Sequence, residues 1–222
     1  MLPRVILHNA VSADGRIDWF TPDVGLFYKL ASHWNEDATL AGSDTIYNPE
    51  ESTAEEGDEP LDPPVVKADD SRPLLVVPDS RGRVRNWGQL RQAGYWRDMV
   101  ALCTHATPAS YLDYLEQRHV TYILAGDKRV DFRTALESLN TRFGVKQVRV
   151  DSGGILNGVL LRAGLVDEVS LLIHPGLVGG STSRSMYQAP DLSTPGGVIP
   201  LKLIHCEQID NDIIWLRYTV AP

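Results

Sequence analysis

Residues 146–180, KQVRVDSGGILNGVLLRAGLVDEVSLLIHPGLVGG, hold three elements with almost nothing between them. The β-branched run at 145–150 predicts a buried strand. Asp151-Ser152-Gly153-Gly154 breaks that run. Apolar residues then recur at helical spacing through Ile155, Leu156, Val159, Leu160 and Ala163, and Gly164 supplies a stop. A second strand is predicted over 166–174, closed by Pro175-Gly176. Strand, glycine turn, helix, strand is a βαβ unit, which implies a parallel pair with a right-handed crossover. Two glycines at a helix start have a physical use, because the first turn's unpaired N–H groups attract phosphate and glycine lets it approach. Ser152 adds a hydroxyl donor. A plain chain turn explains the same glycines, and the GxGxxG fingerprint is absent.

The 222-residue chain is long enough to bury its own core, and its 43% apolar content is that of a folded domain. The net charge of −8 is concentrated: residues 50–70 hold nine acidic residues and one lysine, which leaves the rest of the chain neutral. A chain with no basic face is not built for nucleic acid. No apolar run suits a signal peptide or a bilayer span. Cys103 and Cys206 form neither CxxC nor a metal spacing and fit a reduced, cytoplasmic protein. No histidine pair has HxxxH or HExxH spacing, so no metal is assigned.

In chain order, strands are predicted at 4–10, 38–41, 73–77, 99–103, 120–125, 201–207 and 213–220. Helices are predicted from Asp23 through Trp34, at 108–117, and at 131–143 with Asp131 as cap. Residues 50–71 (rich in acid and proline) lack periodicity and predict a surface loop whose shortening leaves the fold intact. The alternation predicts one α/β domain over 1–222: a mostly parallel central sheet flanked by helices, with an antiparallel C-terminal strand pair. Ligands in such sheets lie at the carboxyl ends of strands. Four polar clusters follow strands there, at 14–16, 42–45, 80–83 and 151–154.

HNAVSADGRID, AGSDTI, RPLLVVPDSRGRV and DSGGILNGVLLRAGLVDEVSLLIHPGLVGG, in that order, resemble the pyrimidine reductases of riboflavin biosynthesis, the reductase part of the bifunctional deaminase-reductases. That resemblance implies a dihydrofolate-reductase-like fold, NADPH as cofactor, and reduction of a ribosylamino to a ribitylamino group on a phosphorylated pyrimidine. It also implies a homodimer. By motif, Gly42, Ser43 and Thr45 match a cofactor-contacting loop. Ser80, Arg81 and Arg83 match the turn near the adenosine 2′-phosphate, and Ser152, Gly153, Gly154 and Leu156 match the loop under the pyrophosphate. Asp14 and Arg16 lie in the family's substrate loop, and Asp151 stands where the family has a glutamate in E-G-G-G. This chain reads Asp-Ser-Gly-Gly there, and Tyr47-Asn48-Pro49 replaces the family's D-D-P-x-L-T.

The catalytic candidates are therefore Asp151, Arg16 and Asp14. Each has a simpler role open to it: a helix-start carboxylate, a solvated turn residue and a turn brace respectively. His8 and His174 lie inside predicted strands and read as hydrogen-bonded core residues. Two rival functions stay open, a related reductase of another heterocycle or carbonyl, and a non-catalytic nucleotide-binding protein.

Overall fold

The computed structural model describes residues 1–46, 61–64, 69–180 and 184–221. Most of the acidic stretch at 50–71, and Tyr47-Asn48-Pro49, lie outside them. In chain order the elements are β1 (Arg4–Ser12), α1 (Val24–Ala31), β2 (Ala38–Ala41), α2 (Ser43–Ile46), β3 (Leu74–Pro78), α3 (Trp87–Gln92), β4 (Asp98–Cys103), α4 (Ala109–Gln117) and β5 (Thr121–Leu124). They continue with α5 (Phe132–Phe143), β6 (Gln147–Asp151), α6 (Gly154–Arg162), β7 (Glu168–His174), β8 (Leu201–Ile209) and β9 (Ile213–Val220). This is the mostly parallel α/β arrangement, with antiparallel strands at the C-terminus, that the alternation predicts. No described helix is long and apolar enough to cross a membrane. The chain divides into two compact units, Met1–Pro3 with Glu36–Val148, and Arg4–Asn35 with Arg149–Pro222.

In the first unit the strand order is β5-β4-β3-β2, parallel throughout. LLVV and MVALC are buried along their whole length, as strands covered on both faces must be. Leu75, Val77, Met99, Ala101 and Leu115 pack around Trp87 and Tyr111, whose polar tips are satisfied. The Trp87 indole donates to Tyr111 Oη at 3.2 Å, which donates to Val84 O at 3.2 Å. Helix α3 escapes the sequence reading because six residues carry too few apolar positions for a period. Asp131 caps α5 as predicted, accepting from Arg133 N and Thr134 N.

In the second unit β1 pairs in parallel with β7, from Ile6 opposite Glu168 to Ser12 opposite His174. Strand β9 pairs antiparallel with β7 and with β8, and among the described residues β8 has no further neighbour on its other side. The predicted βαβ pair needs correcting in one respect: β6 and β7 are not neighbours, because β1 lies between them. Helix α1, capped by Asp23 as predicted (Leu26 N to Oδ1, 2.9 Å), stops three residues short of Trp34. Trp34 instead turns into a core with Ile6, Phe27, Leu172 and Trp215.

Both strand histidines are core residues. His8 Nδ1 lies 3.0 Å from Ser170 Oγ, and Nε2 lies 3.1 Å from Phe27 O. Burial drives the pKa of His8 down to about 3, so its ring is neutral. His174 Nε2 accepts from Asp23 N at 3.0 Å and Nδ1 sits 3.2 Å from Leu172 O, which leaves the ring no free nitrogen.

Candidate active site

Strand β1 leaves the sheet into a tight turn that Gly15 permits with φ +77. Gly15 N donates to Ser12 O, Ser12 N to Arg16 O and Arg16 N to Ser12 Oγ, all within 2.9–3.0 Å. Asp14 serves this turn. Its Oδ1 accepts from Ser12 Oγ (2.6 Å) and Val178 N (3.1 Å), and its Oδ2 accepts from Gly179 N (2.6 Å). The Ser12 hydroxyl, then the Gly179 and Val178 amides, hold its carboxyl at about pH 2. Of the two roles open to Asp14, the structure displays bracing: it ties the β1 turn to the glycine segment after β7. Arg16 is 8% exposed, with Nε 3.8 Å from Asp18 Oδ1. Asp18 also has Arg184 Nη1 at 3.5 Å, so two guanidinium groups share one carboxylate.

Asp151 ends β6 with its side chain 26% exposed. Two donors aim it: Arg149 Nη1 at 3.2 Å and Tyr28 Oη at 3.3 Å, both on Oδ2. The next residue, Ser152, is fixed through its carbonyl, which accepts from Asn9 Nδ2 at 2.8 Å. Asn9 Oδ1 accepts from Asn157 Nδ2 (2.9 Å), which also donates to Met186 O (2.8 Å). Asn157 is fully buried and Asn9 nearly so. This amide relay from α6 through β1 to the 151–154 loop is absent from the sequence reading. Its only signal there is an asparagine standing among apolar helix positions. Arg149 is likewise a charge set between two buried valines, Val148 and Val150.

Gly153 is the N-cap of α6, in extended conformation, and as a glycine it brings no side-chain cap. The two glycines differ. A Cβ on Gly153 would meet only Ile17 Cδ1 at 3.4 Å, so that side stays open to a ligand. A Cβ on Gly154 would lie 2.8 Å from Gln188 Cγ and closer still to the Ser185 carbonyl oxygen. Gly154 is therefore required by packing. The chain it packs against, residues 184–189, also runs along the β1 turn, through Ile17 N to Arg184 O and Met186 N to Gly15 O, both 3.3 Å. Leu156 is buried at 8%, so its contribution to a ligand would come from its backbone.

The first unit gathers the other predicted residues. Gly42 follows β2, and its carbonyl accepts from Thr45 N (2.9 Å) and Ile46 N (3.1 Å), which coils Ser43–Ile46 into α2. Arg83, forty positions on, returns to that turn: its Nη2 donates to Ser43 Oγ at 2.9 Å and to Asp44 Oδ1 at 2.6 Å. The turn carrying Arg83 is held from beneath. Buried Asp79 accepts from Val84 N at 2.8 Å, and Gly82, with φ +68, lies against Tyr111, where a Cβ would come within 2.6 Å of the ring. Ser80 is fixed through its carbonyl by Thr107 Oγ1 at 3.0 Å, and Arg81 is exposed. Clusters 42–45 and 80–83 thus meet in one unit, and 14–16 and 151–154 lie together in the other.

Both groups suit a dinucleotide cofactor on their own terms. The uncapped start of α6 offers backbone donors beside an open glycine. Arg83 keeps its Nε buried without a hydrogen-bond partner, a donor available to an anion.

Known proteins bear on this arrangement. The chain is 27% identical, over 99% of both sequences, to the 2,5-diamino-6-ribosylamino-4(3H)-pyrimidinone 5′-phosphate reductase of Methanothermobacter thermautotrophicus. Its fold matches a pyrimidine reductase-like protein from Corynebacterium diphtheriae with a TM-score of 0.74 at 17% identity, covering 99% of this chain and 92% of that one. It also matches RibD of Acinetobacter baumannii with a TM-score of 0.71 at 22% identity; there it covers 99% of this chain and spans only 58% of that one. The profile of the RibD C-terminal domain matches residues 3–215, and the chain belongs to that family.

Proposed function

We propose that the chain is an NADPH-dependent reductase that converts the ribosylamino group of a phosphorylated pyrimidine to the ribitylamino group. The observation that carries this reading is the end of β6, where a carboxylate aimed by Arg149 and Tyr28 is followed, two residues on, by an uncapped, glycine-opened helix start. A polar group for a sugar and donors for a phosphate are thereby held on one short loop.

When bound, the nicotinamide would supply hydride, and the protein's own share is positioning and electrostatics. By motif, Gly153 and the first turn of α6 would hold the pyrophosphate, Gly42, Ser43 and Thr45 would contact the cofactor, and Ser80, Arg81 and Arg83 would hold the 2′-phosphate. On the substrate, the C1′–O4′ bond breaks, C1′ gains hydride and O4′ gains a proton. Asp151 would orient the sugar hydroxyls through that change, supported by Arg149 and Tyr28, which hold its Oδ2. Arg16 is the residue for the substrate phosphate, where a planar guanidinium suits the oxyanion. Asp14 is a positioning residue, keeping the Arg16 turn against the 176–180 segment.

The chain acts as a cytoplasmic homodimer in this reading. Strand β8 leaves Leu201, Leu203 and Ile204 each more than 40% exposed on an unpaired edge, the kind of surface that calls for cover. The test of function is direct. Purified protein, NADPH and the pyrimidine ribotide should show loss of nicotinamide absorbance matched by ribityl product. Asp151→Asn should reduce kcat far more than it changes the cofactor Kd. No turnover above background with this substrate would reject the assignment.

A further inference from the structure

Arg83, assigned above to the cofactor's 2′-phosphate, is already engaged. Its Nη2 donates to Ser43 Oγ at 2.9 Å and to Asp44 Oδ1 at 2.6 Å. A guanidinium can grip a phosphate through two parallel N–H groups along either of two edges, Nε with Nη2 or Nη1 with Nη2. Nη2 belongs to both. A 2′-phosphate reaching Arg83 must therefore displace a neighbour or accept a single hydrogen bond from Nη1. Ser43 is no obstacle, since its hydroxyl can turn and donate to the phosphate. Asp44 is different. Its carboxylate only accepts, and it places a negative charge where the phosphate brings more.

We propose that Asp44 is a specificity-determining residue that competes internally for Arg83 and so holds down the preference for NADPH over NADH. This rests on the nicotinamide reading above. Asp44 is 75% exposed and Arg83 39%, so the pair is open to exchange with a ligand and is not locked in a core. Arg83 Nε, buried without a hydrogen-bond partner, stands ready to complete the Nε–Nη2 edge once Asp44 leaves. Asp44 has no helix-capping duty that would otherwise account for it: α2 is one turn long, and Thr45 N and Ile46 N are taken by Gly42 O.

The experiment measures binding without turnover. NADPH, NADH, adenosine 2′,5′-bisphosphate and AMP are titrated by calorimetry against wild type, Asp44→Asn, Asp44→Ala, Arg83→Ala and the double variant Asp44→Asn with Arg83→Ala. Removing the carboxylate should tighten NADPH and adenosine 2′,5′-bisphosphate by about three- to tenfold and leave NADH and AMP within twofold, the scale of one exposed ion pair plus a like charge removed. Arg83→Ala should erase that gain in the double variant. If both Asp44 variants leave the NADPH-to-NADH ratio unchanged or lower it, while Arg83→Ala weakens NADPH alone, Asp44 does not compete and the proposal falls with the cofactor reading intact. Wild type binding neither nucleotide would overturn both.

Discussion

Gly154→Ala and Gly153→Ala should differ sharply, although the residues are adjacent and both lie in the loop expected to meet phosphate. At Gly154 the new methyl would lie 2.8 Å from Gln188 Cγ, 3.2 Å from Gln188 N and nearer still to the Ser185 carbonyl oxygen. Two of these three neighbours are backbone atoms, so the 185–188 chain must recede. Receding strains two hydrogen bonds that cross the contact, Gln188 N to Gly154 O at 2.9 Å and Asn157 Nδ2 to Met186 O at 2.8 Å. Each costs about 1 kcal/mol if lost, and overpacking adds roughly 1–3 kcal/mol. Against this, alanine inside a helix gains about 1 kcal/mol over glycine. The balance is a loss of about 2–4 kcal/mol. At Gly153 the methyl meets one flexible Ile17 methyl at 3.4 Å, and its φ of −82 suits any residue, so stability should change by less than about 1 kcal/mol. Urea unfolding of both variants measures the difference, with cofactor titration alongside. Gly153→Ala should stay folded and lose NADPH affinity, because its methyl projects into the space a pyrophosphate would take. Equal stability of the two variants would show that the 184–189 chain yields freely, and the packing argument would be wrong.

Lowering the pH should expose His8: its pKa of about 3 lies below the ordinary 6.5, so the unfolded chain binds a proton that the folded one refuses. Stability should be unaffected above pH 6.5 and fall by up to about 1.4 kcal/mol per pH unit from there toward pH 3, and His8→Phe should remove that slope in chemical denaturation. Asp14→Ala should speed amide exchange at Val178 and Gly179 with little change elsewhere, since those two N–H groups lose their acceptor; unchanged protection would deny Asp14 its bracing role. Sedimentation at micromolar concentration should show a dimer for wild type and a monomer for Leu203→Lys, and a wild-type monomer would reject β8 as the interface.

The strands and helices declared themselves where apolar runs were long and ended in a cap or a glycine: Asp131, Asp23 and Gly164 all do what their residue types predict. What stayed hidden depends on distance along the chain. Insertion of β1 between β6 and β7 joins segments distant in the chain, Ile6 lying opposite Glu168, and no local period records it. The run Ile155, Leu156, Val159, Leu160 is helical as predicted, yet Ile155 and Val159 face outward while Asn157 and Gly158 are buried. Asn157 is buried because its amide pairs with Asn9 Oδ1 and Met186 O, and Gly158 because the Gln188 carbonyl lies where a Cβ would be. Polar pairing of this kind leaves no hydrophobic trace to read.

That hidden chain, residues 184–189, explains why the residues proposed for the substrate stand as one unit. It hydrogen-bonds to Gly15 and Ile17 on one side and to Gly154 and Asn157 on the other. Asn157 then passes the constraint through Asn9 to the Ser152 carbonyl, next to Asp151. The Arg16 turn and the Asp151 loop are thus fixed by the same short segment. Breaking the relay at its centre, with Asn157→Leu, leaves the Asn9 and Met186 oxygens without their donor at a cost of roughly 1–3 kcal/mol each when fully buried. Part of that returns, because Asn157 Oδ1 is itself buried without a hydrogen-bond partner and leucine removes it. The expected net loss is about 2–4 kcal/mol. A double-mutant cycle with Asn9→Ala isolates the coupling, which should exceed about 0.5 kcal/mol for residues in direct contact. Additive losses would mean that the two amides stabilise their own elements separately and that the relay transmits nothing to Asp151.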